Sequence, residues 1–403
     1  MASRGARPGI PLALLAGGAT VAIALIVVLV TAAPRVAPTP IPPSASPAGS
    51  VVGRASPTPS SASPAPSSVA GPTLEPPVVA VVNVSTRRIR GPLGPRIQAS
   101  GVWTGREVII WGGLSWNGMG VRAAPANGAA YDPEADSWRM LPDAPIGPRH
   151  LHAAVWTGRE MLLWGGWTGV RPKPPAAGAA YNPKTRTWRT LAPSPMNWAS
   201  GAASVWADGE WVLAIARDRT DGIEVVAYDP KRDRWRHLPR IPGKLSEENQ
   251  LVWTGSELLL INNADGIYRL VPDAPAWTHD TGPRLGGPIA WTGDRLIGLA
   301  SNHPDWLWTL VEWDADAEAW NELAQPRLLP YRELVWTGDR VLFPSSGFGF
   351  DPATGQWWAL DTPPEFRQDS VILWAGDRLV ELGGWPGGPS GPIHFGNAHL
   401  LDW

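Results

Sequence analysis

Cysteine is absent from all 403 residues. That excludes disulfides, thiolate zinc sites, thiol nucleophiles and a lipid-modified N-terminal cysteine. Charge is also sparse, with charged residues at 17% and Lys plus Arg at 34 against Asp plus Glu at 36. A near-neutral chain lacks the basic excess that a nucleic-acid footprint needs. No Gly-rich phosphate loop and no nucleophile elbow occur either. What is abundant is Gly at 44, Pro at 45 and Trp at 25, a composition that suits many short strands joined by tight turns.

The first 77 residues differ from the rest. Residues 1–9 carry Arg4 and Arg7 and read as a short cytoplasmic segment, because positive charge stays on that side of a membrane. Residues 10–33 carry no charge and, as a helix, rise about 36 Å, enough to cross a ~30 Å hydrocarbon layer. They read as a single-pass signal anchor. The competing reading is a cleaved signal peptide, with Val30-Thr31-Ala32 or Thr31-Ala32-Ala33 at the cleavage site and a secreted product. Residues 34–77 are rich in Pro, Ser and Ala, too poor in large apolar groups to pack, and are expected to form a disordered, extended spacer. On either reading the body of the chain, 78–403, is expected outside the cytoplasm.

In that body a short phrase recurs seven times: Trp103-Thr-Gly, Trp156-Thr-Gly, Trp206-Ala-Asp-Gly, Trp253-Thr-Gly, Trp291-Thr-Gly, Trp336-Thr-Gly and Trp374-Ala-Gly. Successive Trp lie 53, 50, 47, 38, 45 and 38 residues apart. Such a period marks a repeat in which no unit buries its own apolar face. Each phrase sits between two apolar runs, a hairpin signal. A second hairpin follows, as in Tyr131-Asp-Pro … Trp138, Tyr181-Asn-Pro … Trp188 and Tyr228-Asp-Pro … Trp235. Four strands per unit, repeated radially, give an all-β fold, a seven-bladed β-propeller of four-stranded antiparallel blades. Unit seven reaches Asn397–Trp403 one strand short, and the segment around Ser85–Pro92 is expected to supply that outer strand and remove the open seam.

The pattern resembles the kelch repeat family, whose units carry a Gly-Gly pair after strand two and a Tyr and a Trp about seven residues apart. Here the pairs are Gly112-Gly113, Gly165-Gly166 and Gly383-Gly384. The resemblance covers residues 85–403 and implies a propeller like the central domain of galactose oxidase. Units three to six lack Gly-Gly, and unit four breaks the spacing at Tyr268 and Trp277. Kelch propellers serve as enzymes and as binding platforms, so function does not follow from the resemblance. The copper radical oxidases that share the fold use a Cys–Tyr cross-link, which this chain cannot make.

Strand parity puts the loops leading into strand one and those joining strands two and three on one face. That face carries the variable material, where functional loops usually lie. Arg96, Arg149, Arg284 and Arg367 each stand seven residues before their repeat Trp, with Arg327 two residues further upstream. Near the axis such guanidiniums would make a bidentate clamp for carboxylate or phosphate; the alternative is pairing within the scaffold. Trp116, Trp167, Trp306 and Trp385 fall outside the repeating strand positions and suit stacking on sugar rings, unless the loops bury them. Glu248, Glu333 and Asp369 lie on leading loops as weak acid–base candidates. His150 and His152 have a spacing compatible with a metal but no identifiable third ligand, so no metal and no cofactor is expected.

The sequence thus points to a monomeric, membrane-anchored extracytoplasmic module that binds glycan or an anionic surface polymer through Arg and loop Trp. Two alternatives stay open: an enzyme on acidic sugars of the epimerase or mutarotase type, and a protein–protein platform.

Overall fold

The computed structural model describes residues 78–402 except 95, 116–124, 169–176, 197–200, 217–221, 243–248, 263–265, 281–284, 286–287, 302–307, 315–318, 326–333, 362–367 and 386–395. The expected anchor and spacer lie outside the described residues. Within the described residues no helix is long and apolar enough to cross a membrane. Among the described residues the body is all β, interrupted by one 3-10 turn at Pro344–Ser346.

Each Trp phrase turns a hairpin as expected, and the geometry explains its Thr. The Thr104 hydroxyl accepts the Glu107 N–H at 2.8 Å and donates to the Glu107 carbonyl at 3.0 Å. Thr157, Thr254, Thr292 and Thr337 close their turns in the same way. Unit three has Ala207 at this place and turns instead through Asp208 and Gly209, both with positive φ (45° and 80°). Two successive positive φ values make the tight turn whose twist matches the flanking strands.

Units one to five form separate four-stranded antiparallel sheets, such as Ser100–Trp103, Val108–Trp111, Gly128–Asp132 and Ser137–Met140 in unit one. The expectation of seven blades is corrected here to six. The ring is carried by six sheets, because units six and seven join in one eight-stranded sheet. The cause is the N-terminal strand Val78–Ile89. Its first part runs parallel to the outer strand of unit six, pairing Val78 with Trp357 and Val82 with Leu360. Its second part runs antiparallel to the last strand of unit seven, pairing Asn83 with Asp402 and Ile89 with Gly396.

Strands in these sheets are buried on both faces, so their apolar residues need a neighbour on each side. A cluster of Val102, Ile109 and Trp111 with Met161, Leu163 and Tyr181 lies between units one and two. Similar clusters separate each later pair, and Ile89, Val108 and Ile110 with Leu373 and Val380 fill the join between seven and one. Each fully buried aliphatic side chain contributes about 1.5–3 kcal/mol, so these joins are the core.

Polar ties reinforce the joins. The indole Nε1 of Trp188 donates to the Pro142 carbonyl of the preceding unit at 2.9 Å, and Trp235 does so to Ala192 at 2.9 Å. Trp277, in the unit with broken spacing, still reaches Pro239 at 2.7 Å, while His279 takes over the stacking on Tyr268 at 4.4 Å. Arg139 pairs with Glu107 of its own unit at 2.6 Å and donates to the Tyr181 hydroxyl of the next at 2.6 Å. Arg189 repeats this with Glu160 and Tyr228.

The Gly-Gly pairs also serve the joins. A Cβ on Gly112 (φ +69°) would meet the Arg149 carbonyl of unit two at 2.7 Å, and one on Gly383 (φ +77°) would meet the Arg96 carbonyl of unit one at 2.5 Å. We expect Gly112→Ala to lower stability at least twice as much as Gly105→Ala. Gly105 has φ +90° but open space around it, so it bears only the left-handed backbone cost of about 1–2 kcal/mol. Thermal unfolding followed by Trp fluorescence checks this, and equal losses would contradict the close-approach argument.

Candidate ligand-binding face

Arg96–Ile97 pairs antiparallel with Leu114–Ser115, and His150 bridges to Trp167. The loop leading into strand one and the loop after strand two therefore share a face, as parity requires. Two residues after Arg96, Arg149 and Arg367 in the chain comes a left-handed turn, at Gln98 (φ 55°), Leu151 (φ 54°) and Asp369 (φ 58°), with Gly201 (φ 69°) at the same phase in unit three. These positions are linked from unit to unit by backbone bonds. Gln98 N–H donates to the Asp369 carbonyl (3.2 Å), Leu151 N–H to Gln98 (3.2 Å) and Gly201 N–H to Leu151 (3.1 Å). The result is a belt running across units seven, one, two and three. Gln and Leu in this conformation are strained, and such strain persists only where the surroundings fix it.

The two described members of the Arg series are buried in the scaffold. Arg96 is 3% exposed and donates through Nη1 to the Gly112 carbonyl at 3.1 Å and to the Asn127 carbonyl and side chain. Arg149 is 5% exposed and donates to the carbonyls of Gly147 (3.0 Å), Gly165 (2.9 Å) and Ala177 (3.2 Å). Both brace the Gly-Gly turn and the start of strand three in their own unit. Burial pulls Arg96 down to about 10 and lowers Arg149 as well. Arg284, Arg327, Arg367, Trp116, Trp306, Glu248 and Glu333 lie outside the described residues. Trp385 ends the strand Arg378–Trp385, and its side chain lies outside the description.

Trp167, by contrast, is half-buried on the loop face. Its backbone N–H donates to the His150 carbonyl at 2.8 Å, and the His150 backbone N–H returns the bond at 3.0 Å. His150 Nδ1 meets Gln98 Oε1 at 2.8 Å. Trp167, His150 and Gln98, from units one and two, thus lie together at the belt, next to Leu151. Gln98 escaped the sequence reading because nothing marks its type. Its phase, five residues before the repeat Trp and matched by Gly201 in unit three, was the available signal.

No family model matches the chain, and no curated protein matches it. Among solved structures it is similar to a fungal alcohol oxidase of the AA5 family in complex with copper, at TM-score 0.57 and 13% identity, covering 79% of this chain and 75% of that one. The fold is a kelch-like β-propeller. YjhT is also similar, at TM-score 0.45 and 15% identity, covering 77% of this chain and 94% of that one. At these identities the likeness concerns the fold alone.

Among the described residues no group of three or more His, Cys, Asp or Glu is placed to hold a metal. His152 is fully buried with Nε2 against the Ser100 hydroxyl, and its ring meets Trp111 edge-on at 5.1 Å. Burial, then the charges of Arg149 and His150, push its pKa down to about 3. His152 therefore binds a proton much more weakly folded than unfolded, where its ordinary value is 6.5. Its contribution to stability is present above pH 6.5 and is lost as pH falls from there towards 3. We expect His152→Gln, which keeps a hydrogen-bonding group and cannot titrate, to flatten that fall by up to about 1.4 kcal/mol per pH unit. Denaturant titrations at pH 7, 5 and 4 check this. Parallel curves for the two proteins would contradict it.

Proposed function

We propose that this chain is an extracytoplasmic, membrane-anchored propeller that binds glycan on its loop-rich face. The observation that carries the reading is the grouping of Trp167, His150 and Gln98 at the belt. A partly buried indole has a flat apolar face suited to the C–H face of a sugar, and amide and imidazole groups suit its hydroxyls. Hydroxyl recognition is favoured over an anion clamp, because Arg96 and Arg149 already donate to backbone carbonyls. The uncharged stretch 10–33 and the Pro/Ser/Ala-rich 34–77 support the anchored placement.

The test is a glycan-array screen of the full chain in nanodiscs, followed by titration calorimetry on the best binder. Stacking worth about 1–1.5 kcal/mol makes Trp167→Ala about tenfold weaker. Gln98→Gly, which keeps the left-handed backbone, is expected to weaken binding several-fold with no loss of stability. Unchanged binding in both variants would overturn the site. A ligand lost on adding salt but not on Trp167→Ala would favour an anionic polymer, and turnover of an acidic sugar would favour the enzyme reading.

A further inference from the structure

The N-terminal strand is the one described element that ties three units together, and it is held lightly. Its parallel segment, Val78–Val82, carries an irregularity between Val78 and Ala80. Asp361 then clamps the crossover point: its carboxylate accepts the Val84 N–H at 2.7 Å, and its own N–H donates to the Val82 carbonyl at 3.0 Å. The antiparallel segment follows on unit seven, and Arg87 reaches across to unit one, donating to the Tyr131 hydroxyl at 2.8 Å and pairing with Asp136 at 2.9 Å. That last pair is about half exposed on both sides, a class of ion pair that contributes little. Of the side chains from Ala80 to Ile89, only Val82 and Ile89 are buried, and Val81 is 64% exposed. Backbone pairing, the buried Val82 and Ile89 and the partly buried Val84 therefore hold the strand from Ala80 onward, whereas inner strands such as Val108–Trp111 are buried along their whole length.

The same strand is where the preceding spacer enters the ring. We propose that Val78–Ile89 is a tension-sensitive latch: pull along the spacer strips it from unit six, then past the Asp361 clamp from unit seven, before the sheets themselves yield. Its release frees the Arg87 tie to unit one and loosens the join between units seven and one. That join also carries the belt bond from Gln98 to the Asp369 carbonyl, so tension reaches the loop face through one seam. The source of the tension rests on the anchored reading given above; the order of release rests only on the pairing of the strand.

The test is single-molecule pulling on the full chain between its N-terminus and a handle at its C-terminus. Detaching twelve residues lengthens the chain by about 4 nm, a step expected at lower force than unfolding of the ring. Asp361→Ala is expected to lower the force of that step further. Ser85 and Leu400 stand opposite in the register, and the chain has no native cysteine to interfere. The Ser85→Cys, Leu400→Cys pair is expected to shorten the early step to the parallel segment when oxidised and to restore it when reduced. A single rip with no early step, unchanged by Asp361→Ala or by the disulfide, would overturn the latch. Membrane fractionation of the full chain separates the two ideas. A soluble chain that still shows the early step removes the anchor and leaves the latch.

Discussion

A four-stranded sheet with apolar residues on both faces has no stable existence alone, and that constraint governs this protein. Val108, Ile109 and Ile110 are successive residues of one strand, alternate to opposite faces and are all fully buried. Each unit must therefore be flanked on both sides, and only a closed ring flanks every unit. Stability resides in the joins between units rather than within any one of them.

The joins explain residues that look unrelated in sequence. Outer-strand Trp, strand-four Arg, the Tyr hydroxyl and the glycines Gly112 and Gly383 all act across a boundary between neighbours. The Tyr hydroxyls show how tightly these ties are drawn: burial, with Asp136 or Asp233 alongside, raises Tyr131 and Tyr228 to about 12. The two faces of the ring differ in consequence. One is built from short turns stitched by Thr hydroxyls and ion pairs. The other carries the belt, the buried Arg and the Trp167 group.

Much of the fold was legible because the repeat imposes one phase on every unit. The Trp-Thr-Gly turns, the Tyr/Trp pairs and the need for an N-terminal strand all follow from spacing. The number of sheets did not, because the N-terminal strand continues past unit seven onto unit six, and no period records that. The site was less legible. Spacing located Arg96 and Arg149 at the ring mouth but carried no information on which way a guanidinium turns. Their burial comes from three backbone carbonyls converging in the loop, a property of backbone direction rather than of residue type. Gln98 and Leu151 were hidden for the same reason, since a left-handed φ in a non-glycine residue leaves no mark in composition.

Closure of the ring is the claim on which the binding face and the latch both depend. Amide hydrogen exchange at Gln98 tests it directly, with Leu151 as the internal reference. The Leu151 N–H bonds across the join between units one and two, and the Gln98 N–H bonds across the join between seven and one, both at 3.2 Å. A closed ring predicts comparable protection at the two sites, each well above that of an exposed turn amide such as Gly105. Fast exchange at Gln98 beside slow exchange at Leu151 would show an open seam and contradict the account.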